Sequence, residues 1–253
     1  MKPLQLVLTA LLLTSTALSY GQRNKKAAEA FFAFDENWKD AGMDKATYFI
    51  RRTKLSDTCW QFDTYNMYGP MIRSEQCSDE KGTIAHGRFT IFNAKGKIDS
   101  ICNYSKGLPH GDWYIYNDPF YDITLRYEMG VLTDTKKAVK VKGTKPKDSL
   151  AKGEKESEFK GGLTAWQRYL NRNLEYPQRA LKANIQGEVT VAFEIDTTGD
   201  IPNSFIWRSV EFSLDEEALR IIRKSPRWEP AIQDGQLKKS YKHQPMIFRL
   251  PGR

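Results

Sequence analysis

The stretch from Ser213 to Pro230 constrains the fold of this chain more than any other, because a strongly specified helix is followed there by two prolines. In the segment "SLDEEALRIIRKS", apolar residues recur at helical spacing and the acidic residues precede the basic ones, as the helix dipole favours. Ser213 and Glu216 have the spacing of a capping box, which predicts that the helix begins there. Pro226 prevents its continuation. We expect Trp228, between the two prolines, to close the core between this helix and a sheet.

Two further helices and a hairpin are predicted ahead of this stretch. The segment "GGLTAWQRYLNRNL" places apolar residues at helical spacing with Thr164 as the N-cap, and a short helix follows at Pro177. From Gly187 to Ile195 the period changes to two, which is typical of a strand with one polar face. The turn "DTTGD" has Gly199 where a positive φ is needed, and it leads into a returning strand over residues 201–210.

The last strand is predicted to lie at the edge of its sheet. After Pro230, the turn "QDGQ" leads into "LKKSYKHQPMIFRL", which has the alternation of a strand. Because a proline cannot donate a hydrogen bond to a sheet ladder, Pro245 indicates that this strand is either an edge strand or broken at that residue. An edge strand would expose unpaired backbone groups.

The first half of the chain contains a weak internal repeat. The segment "HGRFTIFN", which begins at His86, returns as "HGDWYIYN", which begins at His110. Both copies alternate aromatic with small or polar residues, and glycines mark the intervening turns, which predicts consecutive β-hairpins. We expect both histidines to belong to turns rather than to a ligand site. Ahead of the repeat, the spacing of Phe31, Phe34 and Trp38 predicts a short helix with one aromatic side.

The first residues have the features of a secretory signal. Lys2 is followed by an apolar run from Leu4 to Leu18 and by small residues up to Gly21, which predicts cleavage ahead of Gln22 and a soluble, exported product. The alternative is an uncleaved anchor, although the run is short and rich in threonine and serine for a membrane span of about 20 residues.

The chain is basic, with 39 Lys and Arg against 31 Asp and Glu. Many of the lysines lie in a polar stretch over residues 134–158 without a steady apolar period, so this stretch is predicted to be a linker. Nucleic-acid binding requires basic residues interleaved with stacking aromatics, which this stretch lacks. Export argues further against nucleic acid as a partner.

Three cysteines, Cys59, Cys77 and Cys102, all precede the lysine-rich stretch. In an oxidising compartment one pair can form a disulfide and leave one thiol, and Cys59 with Cys77 is the nearer pair along the chain. Alternatively, all three are reduced, half-buried strand residues. Their spacing does not resemble a zinc site, and neither a metal nor another cofactor is expected.

Four segments together resemble the C-terminal domain of TonB-like proteins, in the variant that is common in envelope proteins of the Bacteroidetes type. The resemblance implies a small α+β domain in which two helices pack on a three-stranded antiparallel sheet. It also implies that the edge of the last strand binds a short extended peptide of an outer-membrane receptor by β-strand addition. The segments are Phe159 to Gly162, Tyr176 to Ile201, Ser213 to Gly235, and Gln244 to Phe248.

Carried over onto this sequence, the resemblance implies a peptide-binding site in two parts. The part that sets the register of the peptide immediately precedes Tyr176 and consists of Asn173, Leu174 and Glu175. The pairing edge consists of Ser240, Tyr241, Lys242, His243, Gln244, Met246, Ile247 and Phe248. The implied partner is an outer-membrane receptor peptide or another envelope protein, and a small-molecule ligand is not expected.

The repeat segment from Gly82 to Tyr116 resembles the MORN-like repeats of the YwqK family. This resemblance implies a β-meander that serves structure or contact, and it assigns no reaction. The predicted organisation is a signal peptide over residues 1–21, a β-hairpin repeat module with a short N-terminal helix over 22–133, the linker over 134–158 and the TonB-like domain over 159–253.

These patterns predict a non-enzymatic exported protein whose TonB-like domain binds an extended peptide or partner strand. The sequence contains no Gly-x-Ser-x-Gly, His-Glu-x-x-His, Walker or dinucleotide-binding motif, and an enzyme of unrecognised type is one alternative. The other alternative is a TonB-type energy transducer retained by an uncleaved N-terminal segment. A cleaved signal and a short linker argue against coupling to an ExbB–ExbD motor, because a transducer needs a membrane helix and a long linker.

We predict that the mature protein begins at Gln22, because the peptide bond before it follows the small residues that signal peptidase recognises. Mass spectrometry of the N-terminal peptide, from protein recovered in the cell envelope, should find Gln22 as the first residue. A chain that still begins at Met1 would contradict cleavage and favour the membrane-retained transducer.

Overall fold

The computed structural model describes residues 29–140 and 154–250, so the predicted signal peptide lies outside the described residues. These residues contain both helices and antiparallel strands, which confirms the mixed α+β class. The chain divides into two compact units. The first contains the described residues up to Thr64 with Arg73–Ile91 and Ser100–Ala138, and the second contains Tyr65–Ile72, Phe92–Asp99 and the described residues from Val139 onward.

One large sheet contains the strands that precede the lysine-rich stretch. Its neighbouring strands are consecutive along the chain, except that β7 pairs only with β6, and β8 takes the next place after β6. The strands are β1 (Glu29–Phe34), β2 (Tyr48–Ser56), β3 (Cys59–Asn66), β4 (Met71–Cys77), β5 (Ala85–Phe92), β6 (Ile98–Ser105), β7 (Leu108–Pro109), β8 (Gly111–Ile115), β9 (Tyr121–Glu128) and β10 (Val131–Val139).

The repeated histidines make equivalent contacts in this sheet. His86 Nδ1 accepts a hydrogen bond from the backbone N–H of Lys106 at 3.3 Å, and His110 Nδ1 accepts one from the N–H of Met129 at 3.4 Å. Lys106 and Met129 both have a positive φ, of 50° and 46°, and each precedes a glycine in a turn. Each histidine therefore supports the turn of a following hairpin, although His86 itself lies in strand β5 and not in a turn as expected.

The predicted N-terminal helix is wrong, because residues Glu29–Phe34 form strand β1 and pair with β2. Phe34 is 1% exposed whereas Phe31 is 45% exposed, so these aromatic residues point to opposite faces, as side chains of odd and even strand positions do. A short apolar run fits both the helical and the strand period. Pairing with β2 decides between them here.

The linker predicted over residues 134–158 is wrong at both ends. Its first residues belong to β10, and near its other end Lys155 forms an antiparallel backbone bridge with Ile232. The strand has polar residues on both faces, so it lacks the alternation of apolar and polar residues that predicts a strand. An edge strand can form with such a sequence, because it pairs with one neighbouring strand and tolerates exposed lysine. Residues 141–153 lie outside the described residues, and the division into modules at this point stays a prediction.

The three cysteines are free thiols that lie on β3, β4 and β6. Burial raises the pKa of Cys77 to about 12 and that of Cys102 to about 11. Both thiols are therefore protonated and unreactive at neutral pH. This state agrees with the alternative that the cysteines are reduced strand residues.

The C-terminal part of the chain packs helices on a small sheet. A three-stranded sheet has the order β13-β12-β17, β11 pairs with β14, and β15 pairs with β16. The last strand is thus at an edge of its sheet, as Pro245 predicted. The elements are β11 (Glu158–Phe159), α1 (Gly162–Asn173), α2 (Gln178–Lys182), β12 (Gly187–Ile195), β13 (Ser204–Arg208), α3 (Phe212–Arg223), β14 (Trp228–Glu229), β15 (Ala231–Gln233), β16 (Gln236–Lys238) and β17 (Ser240–Phe248).

Both long helices begin earlier than their predicted caps. Helix α1 begins at Gly162, so Thr164 lies within its first turn. Helix α3 is capped by Glu211, whose carboxylate accepts a hydrogen bond from the N–H of Ser213 at 2.8 Å. The Ser213 hydroxyl donates a second bond to the same carboxylate at 2.5 Å. The longer side chain of Glu211 thus does the work that the capping-box pattern assigned to Ser213.

Trp228 is buried in the core of the second unit, as predicted, although the helix whose aromatic ring packs against it is α1 and not the preceding helix α3. Its side chain is 6% exposed. The centroid of its ring lies 5.1 Å from that of Phe193 on β12, 5.3 Å from that of Trp166 on α1 and 5.5 Å from that of Phe159 on β11. The backbone of the predicted turn packs against it. Gly199 has a φ of 83°, and a Cβ there would lie 2.0 Å from the Trp228 carbonyl, so only glycine fits.

A buried carboxyl group, that of Asp215 on α3, joins several segments of the second unit. It accepts hydrogen bonds from the Ser209 hydroxyl at 2.5 Å, the Val210 N–H at 3.0 Å and the Tyr65 hydroxyl at 3.2 Å. The Ser209 hydroxyl itself accepts a bond from the N–H of Met71 at 2.7 Å. Burial raises the pKa of Asp215 to about 8, so the carboxyl group holds a proton at neutral pH.

Replacing Trp228 by alanine should lower the free energy of unfolding by about 3 to 5 kcal/mol, as deletion of a buried aromatic side chain does. Urea denaturation followed by circular dichroism measures this change. Leu237→Ala is the matched control, because Leu237 is 53% exposed and its loss should change the free energy by less than about 0.5 kcal/mol. Equal effects of the two substitutions would show that the indole does not close the core.

The raised pKa of Asp215 predicts a pH dependence of stability. Between the usual value of 3.8 and about 8, the folded protein holds a proton that the unfolded chain releases. The contribution is therefore fully present below about pH 4 and is lost as the pH rises towards 8, by at most about 1.4 kcal/mol per pH unit. Asp215→Asn cannot release this proton.

Urea denaturation of the wild type and Asp215→Asn at several pH values between 5 and 8 tests this expectation, because the other titrations cancel in the difference. The variant should gain stability relative to the wild type as the pH rises. A difference that stays constant over this range would contradict the protonated state of Asp215.

Candidate peptide-binding edge of the C-terminal sheet

Strand β17 has one paired side and one open side. It pairs with β12 over its whole length, from Gly187 opposite Phe248 to Ile195 opposite Ser240, without a register shift. No other strand of the described residues lies on its second side. The backbone groups on that side form the candidate site.

The register shows which residues of β17 direct their backbone groups outward. The N–H of Glu194 on β12 donates to the carbonyl of Asn203 at 3.0 Å, on the side of β12 away from β17. Glu194 lies opposite Tyr241. In an antiparallel ladder, residues whose groups pair alternate with residues whose groups point away. Tyr241 therefore points its N–H and carbonyl to the open side, and so does every second residue after it.

Pro245 agrees with this alternation, because it is one of the outward residues. Its missing N–H costs no bond in the ladder with β12. Its carbonyl accepts a hydrogen bond from the side-chain amide of Gln244 at 3.0 Å. The open side thus offers the N–H groups of Tyr241, His243 and Ile247, together with the carbonyls of all four outward residues.

The side chains of β17 divide between two faces of the sheet. Met246 and Phe248 are buried in the core. Tyr241 and Ile247 lie on the opposite face and are 69% and 53% exposed. This pattern holds β17 in place through one face and leaves the side chains of the other face available to a partner.

An aromatic contact supports the middle of the edge. The ring of His243 stacks on that of Trp207 on β13, with centroids 4.3 Å apart and an interplanar angle of 26°. Ala192 is the residue of β12 opposite His243, and its small side chain is 4% exposed. Burial lowers the pKa of His243, so the ring is neutral at neutral pH. The stack thus links β17 to β13 across β12.

The start of the edge is approached by the chain ahead of α1. The Ser240 hydroxyl donates to the Ser157 hydroxyl at 2.7 Å, and Lys242 Nζ lies 3.4 Å from Glu156 Oε2. Sequence analysis did not foresee these contacts, because Glu156 and Ser157 fell in the predicted linker. These contacts occupy the side chains of Ser240 and Lys242 at the start of the edge.

The segment predicted to set the register is held against α3. The Asn173 carbonyl accepts a bond from Arg220, the Leu174 N–H donates to the Leu170 carbonyl at 2.8 Å, and the Glu175 N–H donates to Glu217 Oε1 at 2.7 Å. These backbone groups are occupied within the chain. Any contact of this segment with a peptide must therefore use its side chains.

Tyr176 connects the two predicted parts of the site. Its ring packs edge-on against that of Phe248, with centroids 5.9 Å apart, at the end of β17. Its hydroxyl donates to the carbonyl of Ile185 at 2.5 Å. The structure thus brings the residues before Tyr176 towards the end of β17, while Ser240 and Tyr241 lie at the other end of the strand.

A depression of about 250 Å³ lies beside α1, and Asn173 is one of its lining residues. Arg168 and Arg172 also line it, next to the rings of Phe159 and Tyr169. Two arginines one helical turn apart can bind a carboxylate, since guanidinium groups match its geometry. Sequence analysis did not identify these arginines, because a charged outer helix face is the ordinary state of an exposed helix.

Comparison with known proteins identifies the family that this part of the chain is similar to. A family model described as Gram-negative bacterial TonB protein C-terminal matches residues 172–250, which are less than a third of the 253-residue chain. The match includes both predicted parts of the site, and it confirms the resemblance for these residues. The family is one of energy-transducing or binding domains of the bacterial envelope and is non-enzymatic. Comparisons with the curated proteins and with the solved structures found no match.

Two further observations concern membrane-spanning helices and clusters of metal-binding side chains. Among residues 29–140 and 154–250, no helix is both long and apolar enough to cross a membrane. The same part of the chain contains no cluster of three or more His, Cys, Asp or Glu side chains suited to a metal ion. The resemblance of the repeat segment to MORN-like repeats stays a prediction.

Proposed function

We propose that this is an exported envelope protein whose C-terminal sheet binds an extended peptide by strand addition along the open side of β17. The observation that carries the proposal is the outward set of backbone groups on an unpaired edge, within the segment that matches the TonB C-terminal family. The peptide belongs to an outer-membrane receptor or another envelope protein. No enzymatic activity is assigned to the chain.

Strand addition derives its affinity from the backbone. Each new hydrogen bond contributes a net of about 0.5 to 1.5 kcal/mol, and the outward groups of β17 can form several such bonds at once. Side chains of alternate peptide residues then face the exposed side chains of Tyr241 and Ile247. Backbone pairing thus provides general affinity for an extended segment, and these side chains provide selectivity.

Pro245 gives the edge a marked position. A peptide carbonyl that faces Pro245 receives no hydrogen bond from β17, whereas the carbonyls that face His243 and Ile247 receive one. Shifting the peptide along the edge changes which of its carbonyls lacks a donor. This irregularity, together with the side chains of Asn173 and Glu175, is our basis for a preferred register.

The proposal is tested by removing one outward N–H from the middle of the edge. His243→Pro removes the N–H and the ring, whereas the matched control His243→Ala removes only the ring that stacks on Trp207. The probe is a synthetic peptide from an outer-membrane receptor of the same organism. It covers the TonB box, which is the short extended segment of such receptors that TonB proteins bind. Isothermal titration calorimetry should show binding to His243→Pro weakened by about two- to tenfold relative to His243→Ala, as the loss of one hydrogen bond predicts.

A second proline substitution separates binding from folding. Lys242 lies opposite Phe193, and its N–H belongs to the ladder with β12, so Lys242→Pro should lower the free energy of unfolding. His243→Pro should retain the circular dichroism spectrum of His243→Ala. Equal affinity of the peptide for two folded proteins, His243→Pro and His243→Ala, would overturn the assignment of the edge.

A further inference from the structure

Strand β10 differs from the other long strands in the described part of the chain, because every one of its residues is exposed. All nine residues, Val131–Val139, are exposed, so neither face of the strand packs against the protein. It is the last strand of the large sheet, and in the described part of the chain no strand pairs with its outer side. A long edge strand of this kind is open to pairing with another chain unless a partner covers it.

The sequence of β10 is complementary to itself when it is reversed. We propose that β10 pairs antiparallel with β10 of a second copy of this chain, about a two-fold axis that passes between the two Thr135 residues. The opposed residues are then Val131 with Val139, Leu132 with Ala138, Thr133 with Lys137, Asp134 with Lys136, and Thr135 with Thr135 of the other copy. Apolar residues meet apolar residues, and the acidic residue meets a basic one.

The geometry of a two-fold axis leaves few other registers. An axis perpendicular to the sheet keeps each side chain on its own face, so an antiparallel pair must be centred on a residue rather than between two residues. Centring on Asp134 would oppose two aspartates, and centring on Lys136 would oppose two lysines. Like charges in directly opposed positions are destabilising. Of these neighbouring registers, only the one centred on Thr135 opposes unlike charges.

The proposed pairing also covers apolar surface. Val131, Leu132 and Val139 are 64%, 50% and 67% exposed, and each would lie against an apolar residue of the other strand. Asp134 and Lys136 already lie on one face of β10, with Lys136 Nζ 3.7 Å from Asp134 Oδ2. In the dimer each of these side chains gains an opposed residue of opposite charge, which adds two cross-strand ion pairs to the backbone bonds.

The symmetry of the contact limits assembly to two copies. Both partners use the same strand, so the interface is closed and no β10 edge is left to recruit a third chain. This second binding surface is independent of β17 and of the function proposed for it. A strand of another protein would need a lysine opposite Asp134 and an acidic residue opposite Lys136. A second copy of β10 has both in the proposed register.

An exchange of charges tests the proposed register. Asp134→Lys would oppose lysines across the axis and Lys136→Asp would oppose aspartates, so each should weaken dimerisation by about tenfold or more. The double substitution Asp134→Lys with Lys136→Asp restores unlike pairs and should recover the wild-type dissociation constant. Sedimentation equilibrium of the full mature chain measures the four constants. A monomeric wild type, or a dimer unaffected by the single substitutions, would overturn the proposal.

Disulfide trapping tests the position of the axis without changing a charge. In the proposed dimer the two Thr135 residues are directly opposed, with Cα atoms about 4.5 to 5.5 Å apart, which suits a disulfide. Thr135→Cys should therefore give a covalent dimer under mild oxidation. In the control Thr133→Cys the two introduced thiols would lie roughly 13 Å apart along the strands, and they should not join.

The wild type measures any background from Cys59, which is partly exposed in the structure. Circular dichroism of both threonine variants should match that of the wild type, as it must if the fold is intact. Trapping at Thr135 but not at Thr133 supports the register. Equal trapping at both positions, or trapping at neither, would contradict it.

Discussion

The packing of the Trp228 indole is the contact on which the geometry of the candidate site depends. The ring touches β11, α1 and β12 through one aromatic side chain of each, so it joins these three elements in one aromatic cluster. The backbone N–H of Trp228 also donates a hydrogen bond to the Gly199 carbonyl at 2.9 Å. This bond holds the turn between β12 and β13. Among the described residues β12 is the one strand that pairs with β17, so the position of β17 depends on a stable β12.

The patterns that proved reliable in the sequence are those that one element satisfies alone. The charge order of α3, the positive φ at Gly199 and the edge position of the strand with Pro245 each follow from local chemistry. The predictions that failed depended on partners elsewhere in the chain. Glu29–Phe34 is a strand because β2 pairs with it, and residues 134–139 extend β10 because β9 lies beside them.

The candidate site, like the fold, was predictable where local sequence decides it and not where contacts between strands decide it. The identity of its edge strand followed from the resemblance and from Pro245, but the direction of each N–H did not. That direction depends on how β12 pairs with both of its neighbours, which the bond from Glu194 to Asn203 reveals. The stack of His243 on Trp207 was equally hidden, because it joins residues of two strands that are separated by β12.

The open edges of β10 and β17 differ in a way that suits different partners. On β10 all the outer positions can pair and the charges favour a second β10 strand. On β17 the outward Pro245 has no N–H to donate. If two β17 strands paired with each other, each copy would lack this donor, and the pair would lose two hydrogen bonds of about 0.5 to 1.5 kcal/mol each. A foreign peptide suffers that loss only once. Proline on β17 therefore opposes self-association of this edge more strongly than it opposes binding of a peptide, which keeps the edge open for a different chain.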